Sequence, residues 1–208
     1  MSAIVLTSET LIATPAAGNI EYSSPIMAAT TIGTQRGIIP IEQYYRLNSA
    51  VVGTQVTTAQ NTFGVGVTLS ASTVYGFEIY VILTKTAGVT SHNIGMGIGG
   101  TATINNIGYS AFGQLTGSAI PVSISTNNYG YISNTATSTN IFTGATTASY
   151  SVAVLLKGTV SINAGGTFIP QYTLSAAPGG AYSTAIGSFI KIAPIGIAGS
   201  NTSVGTWS

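Results

Sequence analysis

The sequence predicts an all-β sandwich or barrel, and three observations carry that expectation. Gly, Thr, Ser, Val and Ile dominate the 208 residues, and 26 of them are glycine. Charged helix formers are nearly absent, since five Lys+Arg and four Asp+Glu side chains make up 4% of the chain. Turn signals recur at short intervals between segments that alternate with a period of two, which is the pattern of short strands.

Taken in chain order, residues 1–42 lack a dense strand and are punctuated by Pro15, Pro25 and Pro40. They read as an extended N-terminal arm. Its apolar clusters, with Ile4, Leu6, Leu11 and Ile26, can bury little against themselves and are expected to lie on a neighbour. The stretch "RGIIPIEQYYRLN" gathers Arg36, Glu42 and Arg46 in a chain that is otherwise almost free of charge. It reads as the joint between arm and sandwich, fixed by charge pairing within or between subunits, with the sandwich over residues 43–208.

The clearest strand is "TVYGFEIYVIL", Thr73 to Leu83. Tyr75, Phe77, Ile79, Val81 and Leu83 fall on one face; Val74, Gly76, Glu78, Tyr80 and Ile82 take the other. Both faces are mostly apolar, so the strand is expected to be central and covered twice, once by its own sandwich and once by something else, another subunit being one candidate. Glu78 interrupts that second face. A carboxylate there must reach solvent or be paired, with Arg36, Arg46 or Lys157 as the candidate partners. From Thr86 to Thr147 the chain shows weaker strands such as "TATINNIGYSAF" between Asn/Ser/Thr loops. "ASYSVAVLLKGTVSI" and "TFIPQYTLS" follow, joined by "NAGG", which reads as a hairpin loop with positive-φ positions. Pro170 cannot donate to a ladder and marks an edge or a bulge. In the last strand, "GSFIKIAPIGI", Phe189 and Lys191 alternate with Ile190 and Ile192.

The chemistry that the residues exclude is as informative. There is no Cys, hence neither a disulfide framework nor a thiolate metal site. The net charge of +1 without a basic cluster argues against nucleic acid. No apolar run approaches the roughly 18 residues of a membrane-spanning helix, and the N-terminus, with Glu9 in its apolar stretch and no positive n-region, reads as mature chain. His92 is the single histidine; in "TKTAGVTSHNIGMG" it reads as a surface loop residue. Glu9, Glu21, Glu42 and Glu78 are the only carboxylate side chains, and nothing in their spacing converges a glycosidase pair. Gly95 to Gly100 matches G-x-G-x-x-G, but β-like sequence follows it and no acidic residue comes about 20 positions on, so it reads as a glycine-rich strand against a neighbouring backbone. No catalytic residue, metal or cofactor is expected. Nine charges on a surface on the order of 9,000 Å² are far fewer than a bare soluble surface carries. Much of that surface should be covered by copies of the chain and by other proteins.

The segments "LTSETLIATPAAGNIEYSS", "RGIIPIEQYYRLNSA", "VTLSASTVYGFEIYV", "LKGTVSINAGGTFIPQYTLSAAPGGAYSTAIGSFIKIAPIG" and "SVGTWS" resemble, in that order, a family of tailed-phage virion proteins common in phages of aquatic bacteria. The "STVYGFE" and "GSFIKI" strands are also similar to the jelly roll of C1q/TNF-like trimers, in which an apolar sheet face packs around a threefold axis. The resemblance implies a non-enzymatic virion structural protein: an antiparallel jelly-roll β-sandwich with an extended N-terminal arm, assembled as a homotrimer, with Tyr80 and Ile82 as candidate trimer-interface residues. With Met1 directly at the shared pattern and no shaft before it, the expected role is a capsid decoration (cement) protein on the major capsid protein, at the outer surface of the capsid. The alternative is a tail-fibre tip or receptor-binding head contacting a host surface glycan or protein.

Overall fold

A computed structural model describes residues 4–115 and 130–207. The stretch 116–129, part of the polar loops expected between Thr86 and Thr147, lies outside the described residues. The described chain is all β, with no helix. In chain order the strands are β1 (Ile20–Ser23), β2 (Ile26–Ile32), β3 (Gln35–Ile39), β4 (Gln43–Arg46), β5 (Val51–Val52), β6 (Gln60–Asn61), β7 (Val67–Leu69), β8 (Thr73–Lys85), β9 (His92–Gly99), β10 (Thr103–Leu115), β11 (Gly130–Ser133), β12 (Thr139–Ala145), β13 (Tyr150–Ala164), β14 (Gly166–Leu174), β15 (Ser183–Thr184) and β16 (Phe189–Ile197). Every pairing among them is antiparallel.

Two sheets make the sandwich. The larger runs β4-β16-β8-β13-β10-β11, with β15 and β5 continuing the β16 side of β8; the smaller runs β12-β9-β14, with β6 and β7 both on the far side of β14. Setting aside β5, β10, β11 and β15, and counting β6 and β7 as one interrupted strand, eight strands remain. The first pairs the last, the second the seventh, the third the sixth and the fourth the fifth. That nesting is a long hairpin rolled into two sheets, a jelly roll.

The core follows from the period-two pattern. Tyr75, Phe77, Ile79, Val81 and Leu83 of β8 and Val152, Val154 and Leu156 of β13 are buried against Ile94 and Met96 of β9 and Phe168, Tyr172 and Leu174 of β14. Each such side chain contributes about 1.5–3 kcal/mol by leaving water. The rings of Phe77 and Phe168, 5.5 Å apart, join the two sheets.

"NAGG" behaves differently from its turn chemistry. β13 pairs with β8 and β10, whereas β14 pairs with β9, β6 and β7, so the two strands lie in opposite sheets and no hairpin forms. None of residues 163–166 has positive φ. The glycines serve close packing at this corner: a Cβ on Gly165 would stand 2.9 Å from Leu69 O, and one on Gly166 would stand 2.6 Å from Ala102 N. Pro170 does mark an interruption. β7 pairs β14 over Gly166–Phe168 and β6 pairs it over Gln171 and Tyr172, leaving Pro170 at the gap.

Residues 20–39 are not an extended arm. β1, β2 and β3 form a three-stranded meander of their own, in which Ile26, Ala28 and Thr30 of β2 are buried by alternation. Alanine and threonine at the inward positions make the period hard to read, since the burial is real but the side chains are small. Ile26 is therefore committed to its own chain and is not an exposed contact residue. Leu11 is half-buried beside it, lining a cleft of about 200 Å³ with Ile26, Gly196, Ile197 and Val204. Ile4 and Leu6 remain exposed.

Candidate functional site

The outer face of the larger sheet is the most distinctive surface. Phe189, Tyr80, Leu155 and Phe112 stand opposite one another across β16, β8, β13 and β10, one row on four strands. Tyr44 of β4 stacks on Phe189 with centroids 5.6 Å apart and planes 23° apart, and the Tyr80 ring lies 5.8 Å from Phe189. Ile82 is half-buried on the same face, while Phe112 is 64% and Ile132 is 87% exposed. These positions are outward because their neighbours Ile79, Val81, Val154, Leu156, Ala111 and Ile190 fill the core.

Next to the apolar row runs a charged one. Lys191, Glu78, Lys157 and Ser110 are cross-strand partners, and Glu78 takes both lysines, at 3.4 Å from Lys191 Nζ and 3.5 Å from Lys157 Nζ. Exposed pairs of this kind contribute about 0–1 kcal/mol each. Their consequence is local: the carboxylate inside an apolar face is neutralised in place. Lys157 was among the partners expected from sequence; Lys191 was not, because it becomes a neighbour only through the β8–β16 register. Six strands at about 4.8 Å spacing make this face about 24 Å across, of the order needed for the roughly 800 Å² that each partner of a stable interface buries.

The three joint residues part company. Arg36 of β3 forms a two-toothed pair with Glu21 of β1, Nε–Oε2 at 2.8 Å and Nη2–Oε1 at 3.0 Å, and also donates to Ile12 O. Ile12 N–H donates to Glu21 Oε1 at 2.8 Å. That backbone bond, opposed by burial and then aided by Arg36, holds the Glu21 carboxyl below its usual range. Arg36 thus clamps the meander and residue 12, and does not meet Glu42 or Arg46. Arg46 donates to Leu47 O at 3.4 Å and to Asn48 Oδ1. Among the described residues neither Glu42 nor Arg46 makes an ion pair.

His92 is a correction. It opens β9 and is 2% exposed, so it is a core residue rather than a loop residue. Its Nδ1 lies 2.7 Å from Thr90 O and its Nε2 lies 2.8 Å from Tyr182 Oη. In the neutral ring Nδ1–H donates to the carbonyl and Nε2 accepts from the phenol. Burial raises Tyr182 well above the usual phenol range, with Tyr150 and Tyr172 adding to it, so the phenol stays protonated. Beside it, Lys85 is 4% exposed. Its ammonium donates to Gly88 O at 2.6 Å and to Thr147 O, and sits 5.9 Å from the centre of the Tyr182 ring. Burial pushes its pKa down. Lys85 pins the loops after β8 and before β13 to the end of the core, and none of Lys85, His92 or Tyr182 lines either cleft described here. Lys85→Met keeps the volume but strips the carbonyls of their donor, and is expected to cost about 1–3 kcal/mol, read as a lower urea midpoint. An unchanged midpoint would show that the ammonium contributes no net stability.

The G-x-G-x-x-G stretch is the packed strand expected of it. A Cβ on Gly97 would stand 2.8 Å from Ser138 Cα, so the glycine lets residue 138 lie directly on β9. Among the described residues no three His, Cys, Asp or Glu side chains gather as a metal site.

No family model matches the chain, and no curated protein matches it. Among solved structures it is similar to one titled "Structure of infectious bursal disease virus Gx strain", at 8% identity with a TM-score of 0.17, covering 84% of this chain and 46% of that one. This chain therefore spans less than half the length of the viral chain, and a likeness of that size carries no argument about function.

Proposed function

We propose that the chain is a non-enzymatic virion structural protein that works as a homotrimer, a capsid decoration protein bridging and stabilising neighbouring capsid subunits. The observation that carries the reading is the outer face of the larger sheet, where Tyr44, Phe189, Tyr80, Leu155 and Phe112 form a continuous apolar row beside a self-neutralised Glu78. A face of that kind offers a second copy large apolar bodies and polar Tyr tips, with the one carboxylate on it already paired, which suits a protein interface. The virion setting comes from the resemblance of the sequence segments to tailed-phage virion proteins. A trimer seated where capsid subunits meet touches several neighbours at once, so individually weak contacts reinforce one another through effective concentration.

Light scattering on the purified protein and a stained gel of purified particles test both levels. A trimer present at hundreds of copies per particle is the expected result. A few copies per particle would replace the decoration role with a tail-fibre tip, and a monomer in solution would remove the assembly reading altogether.

A further inference from the structure

We propose that the N-terminal segment Ile4–Glu9 of one copy docks as an added strand on the free edge of β4 in a second copy, with Ile4 and Leu6 entering the cleft beside it. The proposal rests on the self-assembly reading above and names a second contact within it, separate from the outer sheet face.

The acceptor is an unfinished edge. β4 pairs with β16 on one side, and among the described residues nothing pairs with its other side; all four of its residues are exposed. An edge strand left in this state is a template for another strand. Beside it the two sheets fail to close. A cleft of about 360 Å³ opens between β4 and β7, lined by Tyr45, Phe63, Val65, Val67, Ile190 and six further uncharged residues on its walls and rim.

The donor is an unplaced apolar segment. Ile4 is 92% and Val5 is 86% exposed, and Leu6 is exposed too, so the segment does not fill the cleft of its own chain. Its last two residues are tied to their own chain: Ser24 N–H donates to Ser8 Oγ at 2.8 Å, and Glu9 N–H donates to Tyr22 O at 3.0 Å. The six residues of the segment span about 20 Å when extended, more than the length of the four-residue β4.

Charge and side-chain direction select one register. Among the described residues Arg46 ends β4 without a carboxylate partner, and Glu9 ends the segment without a cation. A parallel alignment that sets Glu9 beside Arg46 sets Leu6 beside Gln43. Tyr45 points inward, edge-on to Phe63, and Tyr44 points outward, onto Phe189. Residues aligned across a sheet share a face. Ile4, Leu6 and Ser8 then take the cleft side with Gln43 and Tyr45, and Glu9 takes the outer side with Arg46. One register satisfies the apolar cleft and the two unpaired charges together.

The chain has no Cys, so disulfide trapping reads the contact directly. Under mild oxidation the full-length Leu6→Cys/Val65→Cys protein is expected to form covalent trimers on a non-reducing gel, because each copy donates one cysteine and accepts another. Either single variant stops at dimers, and Leu6→Cys/Val89→Cys, with its second thiol on an exposed loop residue, serves as the background. In the trapping protein, Arg46→Glu should cut the covalent trimer several-fold, and adding Glu9→Arg should restore it. If the unmodified protein is a trimer by light scattering but trapping does not exceed the background, the docking is overturned and the sheet-face assembly stands. A disulfide confined to the monomer band overturns the exchange between copies. A protein that is monomeric by light scattering overturns both.

Discussion

Replacing Tyr80 with aspartate is expected to convert the assembled protein into monomers or aggregates while leaving the sandwich folded. Tyr80 stands between Phe189 and Leu155 in the apolar row, so a second copy seated there covers it fully. A short carboxylate at that point cannot reach back to water, and it adds negative charge two residues from Glu78, whose lysines are already engaged. Symmetry repeats the penalty in every subunit. Loss of a central aromatic anchor costs about 2 kcal/mol or more per contact, and the buried charge adds to it. The fold should survive, because the core is built from the opposite face of β8, where Ile79 and Val81 are fully buried. Light scattering reads the assembly and circular dichroism reads the fold, with Val89→Asp as the exposed control. Ile82→Asp should act in the same direction. A Tyr80→Asp protein that stays a soluble trimer would move the interface off this face.

The same strand shows how much of the molecule was legible beforehand. The alternation from Thr73 to Leu83 fixed which side chains fill the core and which look outward, because a period of two is a property of the backbone and needs no partner. The structure extends that strand only to Lys85. What could not be read is whatever depends on which strands meet. Lys191 reaches Glu78 through the pairing of β16 with β8, although their numbers are far apart. The glycines of "NAGG" mark a place where the chain must turn sharply, but a hairpin and a corner between sheets ask for the same residues, and only the partners of β13 and β14 tell them apart.

His92 and the meander illustrate a second limit. His92 sits among Thr, Ser and Asn, which reads as loop chemistry, yet it meets Thr90 and Tyr182, and the latter lies 90 residues away. A signal existed in "NIGMGIG", which continues as β9 immediately after it. In the meander the inward residues Ala28 and Thr30 are too small to stand out. The clamp from Arg36 to Glu21 crosses 15 positions of sequence, so the partner of Arg36 could not be read from the stretch that also holds Glu42 and Arg46. The cleft beside β4 had no sequence signal at all, since an edge exists only once the sheets do.

Phe77→Ala is expected to be the most destabilising single change in the core. Phe77 is 4% exposed on β8, and its ring meets Tyr109 of the same sheet at 6.1 Å and Phe168 of the opposite sheet at 5.5 Å. Truncation removes the inter-sheet contact and leaves a cavity. The strands around it cannot collapse to fill that space, because β8 is bonded to β13 on one side and to β16 on the other. Core Phe→Ala changes of this kind cost about 3–5 kcal/mol, a large share of the roughly 5–15 kcal/mol that holds a domain together. Urea unfolding at fixed protein concentration should show the midpoint falling with little change in slope, since the surface exposed on unfolding is nearly the same. Fixing the concentration matters because self-association stabilises the folded state by mass action. Tyr80→Asp and Phe77→Ala thus separate two contributions on one strand. The first should remove the concentration dependence of the midpoint and keep the monomer's own stability, while the second should lower that stability at every concentration. A loss below about 1 kcal/mol for Phe77→Ala would mean that the sheets do not depend on this ring, and would shift the weight of the core towards Tyr172 and Tyr182 at the other end.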